Sequence, residues 1–143
     1  MSLKQGETAQ AKFLYEAMLR GLVVATPFNT VGYDYIIESN RTFNRLQIKS
    51  VSYQQKLKNS DNKTYRLIIG KGSKTKVKYT KDDVDIIGCY IIPEDVWYFI
   101  PIEAISTIYV SLYPHRELDK RANDNCGKYE KYKNEWKIFA PVV

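Results

Sequence analysis

Residues 33–38 and 43–53 are two apolar-rich runs on either side of the polar turn Ser39-Asn40-Arg41. Bounded by turn residues, they predict two neighbouring strands, and the remaining chain must pack around that pair. Successive side chains of a strand point to opposite faces. In the second run Leu46, Ile48 and Ser50 therefore share one face, while Arg45, Gln47, Lys49 and Val51 share the other. Asp34 is a lone acid at the head of the first run. Pairing the runs brings Asp34, Gln47 and Lys49 towards one point. A carboxylate, an amide oxygen and an ammonium group meeting there suit a divalent cation and a phosphate.

Upstream, Ser2-Leu3-Lys4-Gln5 fits a capping box, with Ser2 as N-cap. A helix is expected to follow to about Arg20, with Gly21 as its stop. Ala11, Leu14 and Met18 lie at helical spacing and are taken as its buried stripe. Glu7, one turn before Ala11, extends that stripe. The acid reads either as a solvated first-turn residue favoured by the helix dipole or as a carboxylate aimed at the sheet beneath. Glu16 lies off the stripe and is expected to be solvated. Residues 22–28, which contain Pro27, predict an edge or first strand.

From Lys49 through Lys81 the chain carries ten of its 22 basic residues and one acid, Asp61. Turns at Ser60-Asp61-Asn62-Lys63 and Gly70-Lys71-Gly72-Ser73 delimit strands at 64–69 and 74–79. In the second of these, Lys74, Lys76 and Lys78 alternate with Thr75, Val77 and Tyr79. Three ammonium groups on one strand face fit a lysine-protected edge, or a β-ribbon laid against a phosphate backbone. Lys56, Lys58, Lys63, Arg66 and Lys71 extend the patch and favour the ribbon.

Residues 85–92 and 96–100 are strongly apolar and predict buried strands joined by a turn at Pro93-Glu94-Asp95. A small helix at 101–104 and a last strand at 107–112 follow. Residues 127–136 predict a helix with Tyr129, Tyr132 and Trp136 on one stripe. The tail from about residue 114 to 143 is taken as a packing or oligomerisation element. With 143 residues, 44% hydrophobic and 27% charged, one domain with a full core is expected, and wholesale disorder is excluded. Cys89 and Cys126 form no ligand motif, and His115 is the single histidine, which argues against structural zinc. Cys89 is expected to be a buried thiol. No apolar run approaches a membrane span, so a soluble protein of a reducing cytoplasm is expected. The net charge of +6 permits an anionic partner.

By spacing alone, Asp-x12-Gln-x-Lys occurs by chance in many chains, and an ion pair between Asp34 and Lys49 at a sheet end would also satisfy it. A preceding helical Glu, an Asp opening an apolar strand, and Gln and Lys on one face make a more specific set. That order, with Gly6-Glu7, Gly32-Tyr33-Asp34, Leu46-Gln47-Ile48-Lys49-Ser50 and the runs at 84–90 and 96–101, resembles the PD-(D/E)XK nuclease superfamily. It is most similar to small bacterial homing endonucleases encoded by group I introns, over roughly residues 5–105.

The resemblance implies an α/β fold, a restriction-endonuclease-like mixed sheet flanked by helices, here with a basic β-ribbon inserted at about 52–81. It implies Mg²⁺-dependent cleavage of double-stranded DNA, with Mn²⁺ as a substitute, by a dimer or a higher homo-oligomer such as a tetramer. Glu7, Asp34, Gln47 and Lys49 take the catalytic roles. Asp34, Glu7, Gln47 and the main-chain carbonyl of Ile48 are the metal ligands, and Lys49 is the contact to the scissile phosphate. Gln47 departs from the acid usual in the (D/E)-x-K element. It removes one negative charge from the metal site, which leaves a binding-only relative as an alternative. A structure-selective nuclease of the Holliday junction type shares the same core and basic charge.

Overall fold

A computed structural model describes residues 3–56, 63–115 and 127–139. Its centre is a mixed five-stranded sheet. Its strands, in spatial order, are β1 (Val23–Ala25), β2 (Tyr35–Ser39), β3 (Thr42–Val51), β8 (Ile86–Ile91) and β9 (Val96–Pro101). β3 is antiparallel to β2, in the register Tyr35↔Leu46, and parallel to β8, with Lys49 beside Cys89. A parallel pair needs a long crossover. Among the described residues this crossover carries four short strands, β4 (Gln55–Lys56), β5 (Lys63–Ile68), β6 (Gly70–Lys71) and β7 (Val77–Lys78). β5 lies between β4 and β10 (Tyr109–Leu112) in a second, antiparallel sheet.

Every residue of β8 is buried, because both of its faces are covered. One face packs on α1 (Leu3–Leu19), through Leu46, Ile48, Ile86, Trp97 and Phe99. The other packs on the second sheet, through Ile87, Cys89, Ile91, Tyr65, Leu67 and Val110. Gly88 sits where a side chain would press on Leu46 at 3.2 Å and Phe99 at 3.4 Å, so the missing side chain lets those two meet over β8.

The buried stripe of α1 is Ala9, Phe13 and Ala17. The expected stripe is not the packed one: Ala11 and Met18 are exposed and Leu14 is half-buried. Both sets have helical spacing, and Phe13 decides between them. Its ring joins those of Tyr35, Trp97, Phe99, Trp136 and Phe139, an aromatic cluster that the smaller set could not form. Glu16 is not simply solvated either; it accepts a hydrogen bond from the Trp97 indole at 2.7 Å. The helix stops as expected. Gly21 has φ +73°, and the N–H groups of Gly21 and Leu22 bond the carbonyls of Met18 and Ala17. Ser2 lies outside the described residues, and Gln5 donates instead to Ser50 Oγ at 3.2 Å.

Residues 127–139 form two short 3-10 turns, Glu130–Tyr132 and Trp136–Phe139, rather than the expected helix. They wrap the edge strand β9, which alternation along the tail alone does not reveal. Asn134 N–H donates to the Trp97 carbonyl at 2.6 Å, and its Oδ1 accepts the Trp97 N–H at 3.0 Å. Tyr129 joins the core on one side of the sheet and Phe139 the core on the other. The buried Glu130 accepts hydrogen bonds from Tyr98 Oη and the Tyr113 N–H, both at 2.6 Å. The segment thus satisfies and shields an otherwise open sheet edge. Among the described residues no helix is long and apolar enough to cross a membrane.

Candidate functional site

The short length of β2 creates the site. β2 begins at Tyr35, opposite Leu46, while β3 runs on to Val51, so the second half of β3 is uncovered by β2 on that side. Asp34 extends the ladder by one step, its N–H donating to the Leu46 carbonyl at 2.8 Å. That register sets Asp34 across from Gln47. Asp34 Oδ2 then accepts the Ile48 N–H at 2.8 Å. A strand residue projects its N–H and C=O from the same edge, so the Ile48 carbonyl points out beside the Asp34 carboxylate. Among the described residues, no hydrogen bond reaches the other oxygen of Asp34. Gln47 and Lys49 follow on the face away from α1, as alternation requires, and both are half-buried.

The electrostatics of this notch are strained. Burial pushes the Asp34 carboxyl above its ordinary value, against the opposing pull of the Ile48 N–H and the Lys49 charge. Burial and the like charge of Lys76 push the Lys49 ammonium below its ordinary value, with Asp34 and Cys89 pulling the other way. No ion pair within 4.0 Å joins Asp34 to Lys49, so the simple salt-bridge reading of this pair is not what the fold forms. The Lys49 ammonium stands 5.8 Å from the centre of the Tyr79 ring. Beside it, Cys89 is fully buried, as expected, and burial pushes its thiol up to about 12. It is a neutral packing group, not a nucleophile.

Glu7 is exposed, on a helix that packs against the opposite face of the sheet. Its expected alignment with the buried stripe is overturned, because the stripe itself lies elsewhere. Among the described residues no three Asp, Glu, His or Cys side chains gather as a metal cluster. The register puts Gln47 across from Asp34, and the Ile48 N–H bonds the Asp34 carboxylate, so the candidate oxygen donors on these neighbouring residues are the Asp34 carboxylate, the Gln47 amide and the Ile48 carbonyl. An all-oxygen set of this kind fits a hard divalent cation and leaves places for water.

The basic residues separate into groups. The expected strand at 74–79 shrinks to Val77–Lys78, paired with Gly70–Lys71 in a minimal hairpin. Lys74 and Lys78 are exposed. Lys71 is already paired with Asp83 at 2.7 Å. Lys76 turns back, its ammonium donating to the Gly72 carbonyl at 2.6 Å. The Arg66 guanidinium lies 4.3 Å over the Tyr109 ring. Lys56 and Lys63 are backbone register partners in the β4–β5 pair, and Lys58 lies outside the described residues. Pattern reading missed Tyr79, Tyr109 and the approach of Lys76 to Lys49, since none of these pairs is local in sequence.

A family model described as PD-(D/E)XK endonuclease matches residues 1–138. The match includes the tail that wraps β9, which the motif-based resemblance over 5–105 left out. Among solved structures, the chain is similar to a bacterial homing endonuclease, I-Ssp6803I, with TM-score 0.70 and 20% identity. The likeness covers 98% of this chain and 95% of that one, and at this identity it is a likeness of fold. The mixed sheet flanked by helix and second sheet is thus restriction-endonuclease-like. A comparison with curated proteins found no match.

Proposed function

This chain belongs to the PD-(D/E)XK endonuclease family, and we propose that it is a sequence-specific, Mg²⁺-dependent endonuclease of double-stranded DNA. The observation that carries the reading is the notch itself. Asp34 and Lys49 stand on adjoining paired strands around the Ile48 main chain, both desolvated and neither neutralised by a close ion pair. Perturbed charges held without a close ionic partner are a mark of function rather than of stability.

In this reading Asp34, Gln47 and the Ile48 carbonyl would hold the cation, whereas Glu7 stands on the helix packed against the other face of the sheet. Mn²⁺ would be accepted in place of Mg²⁺, since both take oxygen ligands. When bound, the cation supplies Lewis-acid polarisation of the phosphate and lowers the pKa of water. Lys49 contacts the scissile phosphate and stabilises the charge that grows on its oxygens. The Ile48 N–H fixes the Asp34 carboxylate so that its free oxygen faces the site. Gln47 contributes an oxygen without a charge, so the site holds its cation less tightly than one built with an acid there.

One chain has one such notch and cuts one strand. A two-fold dimer, or a tetramer built from such dimers, would present two notches to opposite strands. Lys74, Lys78 and Arg66, with Lys56, Lys58 and Lys63, would supply the contacts to the phosphate backbone. The likeness of fold to a homing endonuclease supports a duplex substrate recognised over many base pairs, as in intron homing. The test is a cleavage selection on randomised duplex DNA with Mg²⁺, repeated with Asp34→Asn and Lys49→Ala. Cleavage by the wild type at a defined sequence, lost in both variants with binding kept, is expected. Binding without cleavage by the wild type in either Mg²⁺ or Mn²⁺ would overturn the catalytic reading.

A further inference from the structure

A groove that includes Lys49 but not Asp34 opens between the end of β3, β5 and the β6–β7 hairpin. Its volume is about 370 Å³. Lys49, Arg66 and Lys76 line it together with Tyr53 and Ile68, and none of its lining residues is acidic. Three cations around one concavity repel one another, so the arrangement is costly unless an anion enters.

Two of these cations are held in place by their surroundings. The stem of Lys76 lies over Gly70, where any added Cβ would meet the Lys76 Cβ at 2.9 Å. Its ammonium is tied to the Gly72 carbonyl. The Arg66 guanidinium rests on the Tyr109 ring. A cation whose side chain is already ordered loses less entropy on meeting an anion than a free surface lysine does.

The groove shares Lys49 with the place assigned to the scissile phosphate, and a DNA strand carries a further phosphate on either side of that one. We propose that the groove receives the phosphate next to the scissile one on the cut strand, with Lys76 and Arg66 as positioning residues. The inference rests on the nuclease reading above and gives Lys76 a different task from that of a ribbon residue in a groove of the duplex. It implies that the path of the cut strand is fixed on both sides of Lys49, which sets the scissile bond in line for attack.

The probe is a duplex recovered by the cleavage selection and resynthesised with one neutral methylphosphonate beside the scissile position, on either side in turn. On one side the neutral group is expected to lower wild-type kcat/KM about tenfold or more, the size of effect that follows from misplacing a reacting group. In the doubly substituted protein, Lys76→Met with Arg66→Met, the same neutral group is expected to make little further difference. Lys76→Arg is expected to restore most of the sensitivity. If the loss is the same in wild type and double variant, the groove does not hold that phosphate and the inference fails while the nuclease stands. If the wild type cuts no duplex, the nuclease reading fails and takes the inference with it. Thermal melting of Lys76→Met, a substitution at an exposed side chain, separates either result from misfolding.

Discussion

Two pairs of opposite charges lie along β3 and differ in one respect. At Arg45, the carboxylate of Asp85 accepts from the Arg45 N–H at 2.7 Å and from Nε at 3.1 Å. The guanidinium also donates to the carbonyls of Lys81 and Asp82. Burial pushes the Asp85 carboxyl up, but hydrogen bonds from the Arg45 side chain and main chain outweigh it and leave the group below its ordinary value. At the notch, Asp34 and Lys49 are desolvated in the same way but left apart, and each is shifted towards its neutral form. A charge with all its partners in place ties the crossover to the sheet. A charge held without them waits for a ligand. Burial and charge alone do not separate the two; the completeness of the partners does.

The sharpest break of this contrast is catalytic. Lys49→Ala or Asp34→Asn is expected to lower single-turnover cleavage by at least about a hundredfold, the usual cost of removing one charge-stabilising group. Lys81→Ala, at the rim of the Arg45 cluster, should leave the rate unchanged. Equal losses at both places would erase the distinction.

Stability should respond the other way. Asp85→Ala leaves the half-buried guanidinium of Arg45 without its anion and is expected to cost about 2 kcal/mol in urea unfolding, reduced from the fully buried case by the partial exposure of Arg45. Asp34→Asn should instead raise the unfolding midpoint of the metal-free protein at pH 7. The folded carboxyl of Asp34 lies above its unfolded value, so the cost of ionising it grows as pH rises through the unfolded value of 3.8 and is complete above the folded one. The gap between wild type and Asp34→Asn is therefore expected to close as the pH falls below 3.8, and a gap that persists there would point to a cause other than charge.

The smallest effects are expected among the basic residues of the hairpin. Lys74→Glu or Lys78→Glu should reduce the slope of log affinity against log salt by about one for each phosphate no longer neutralised. Lys71→Glu should do less, because its charge is already matched by Asp83. An identical change at all three would mean that the pairing of Lys71 does not persist on DNA.

Sequence patterns conveyed some parts of this structure and misplaced others. The buried hairpin of β8 and β9 was legible because continuous apolar runs have few other places to go. The face of α1 was not, since Ala11-Leu14-Met18 and Ala9-Phe13-Ala17 satisfy the same helical period and only the aromatic cluster around Phe13 chooses between them. The lysine ribbon was overdrawn, because alternating lysines describe a strand only where a partner strand exists to pair with it. Beyond Lys78 and Val77 that partner is absent among the described residues.

By itself the sequence determined that Gln47 and Lys49 share a face and that Asp34 stands at the head of an apolar run. These follow from covalent geometry, which repeats every two residues whatever surrounds it. Only the tertiary structure decided that β2 stops short of β3, that Asp34 takes the Ile48 N–H, and that Lys76 returns from the crossover to stand near Lys49. Those relations join residues far apart in the chain. They are fixed by where β2 ends and by which faces find cover, choices that depend on the rest of the chain.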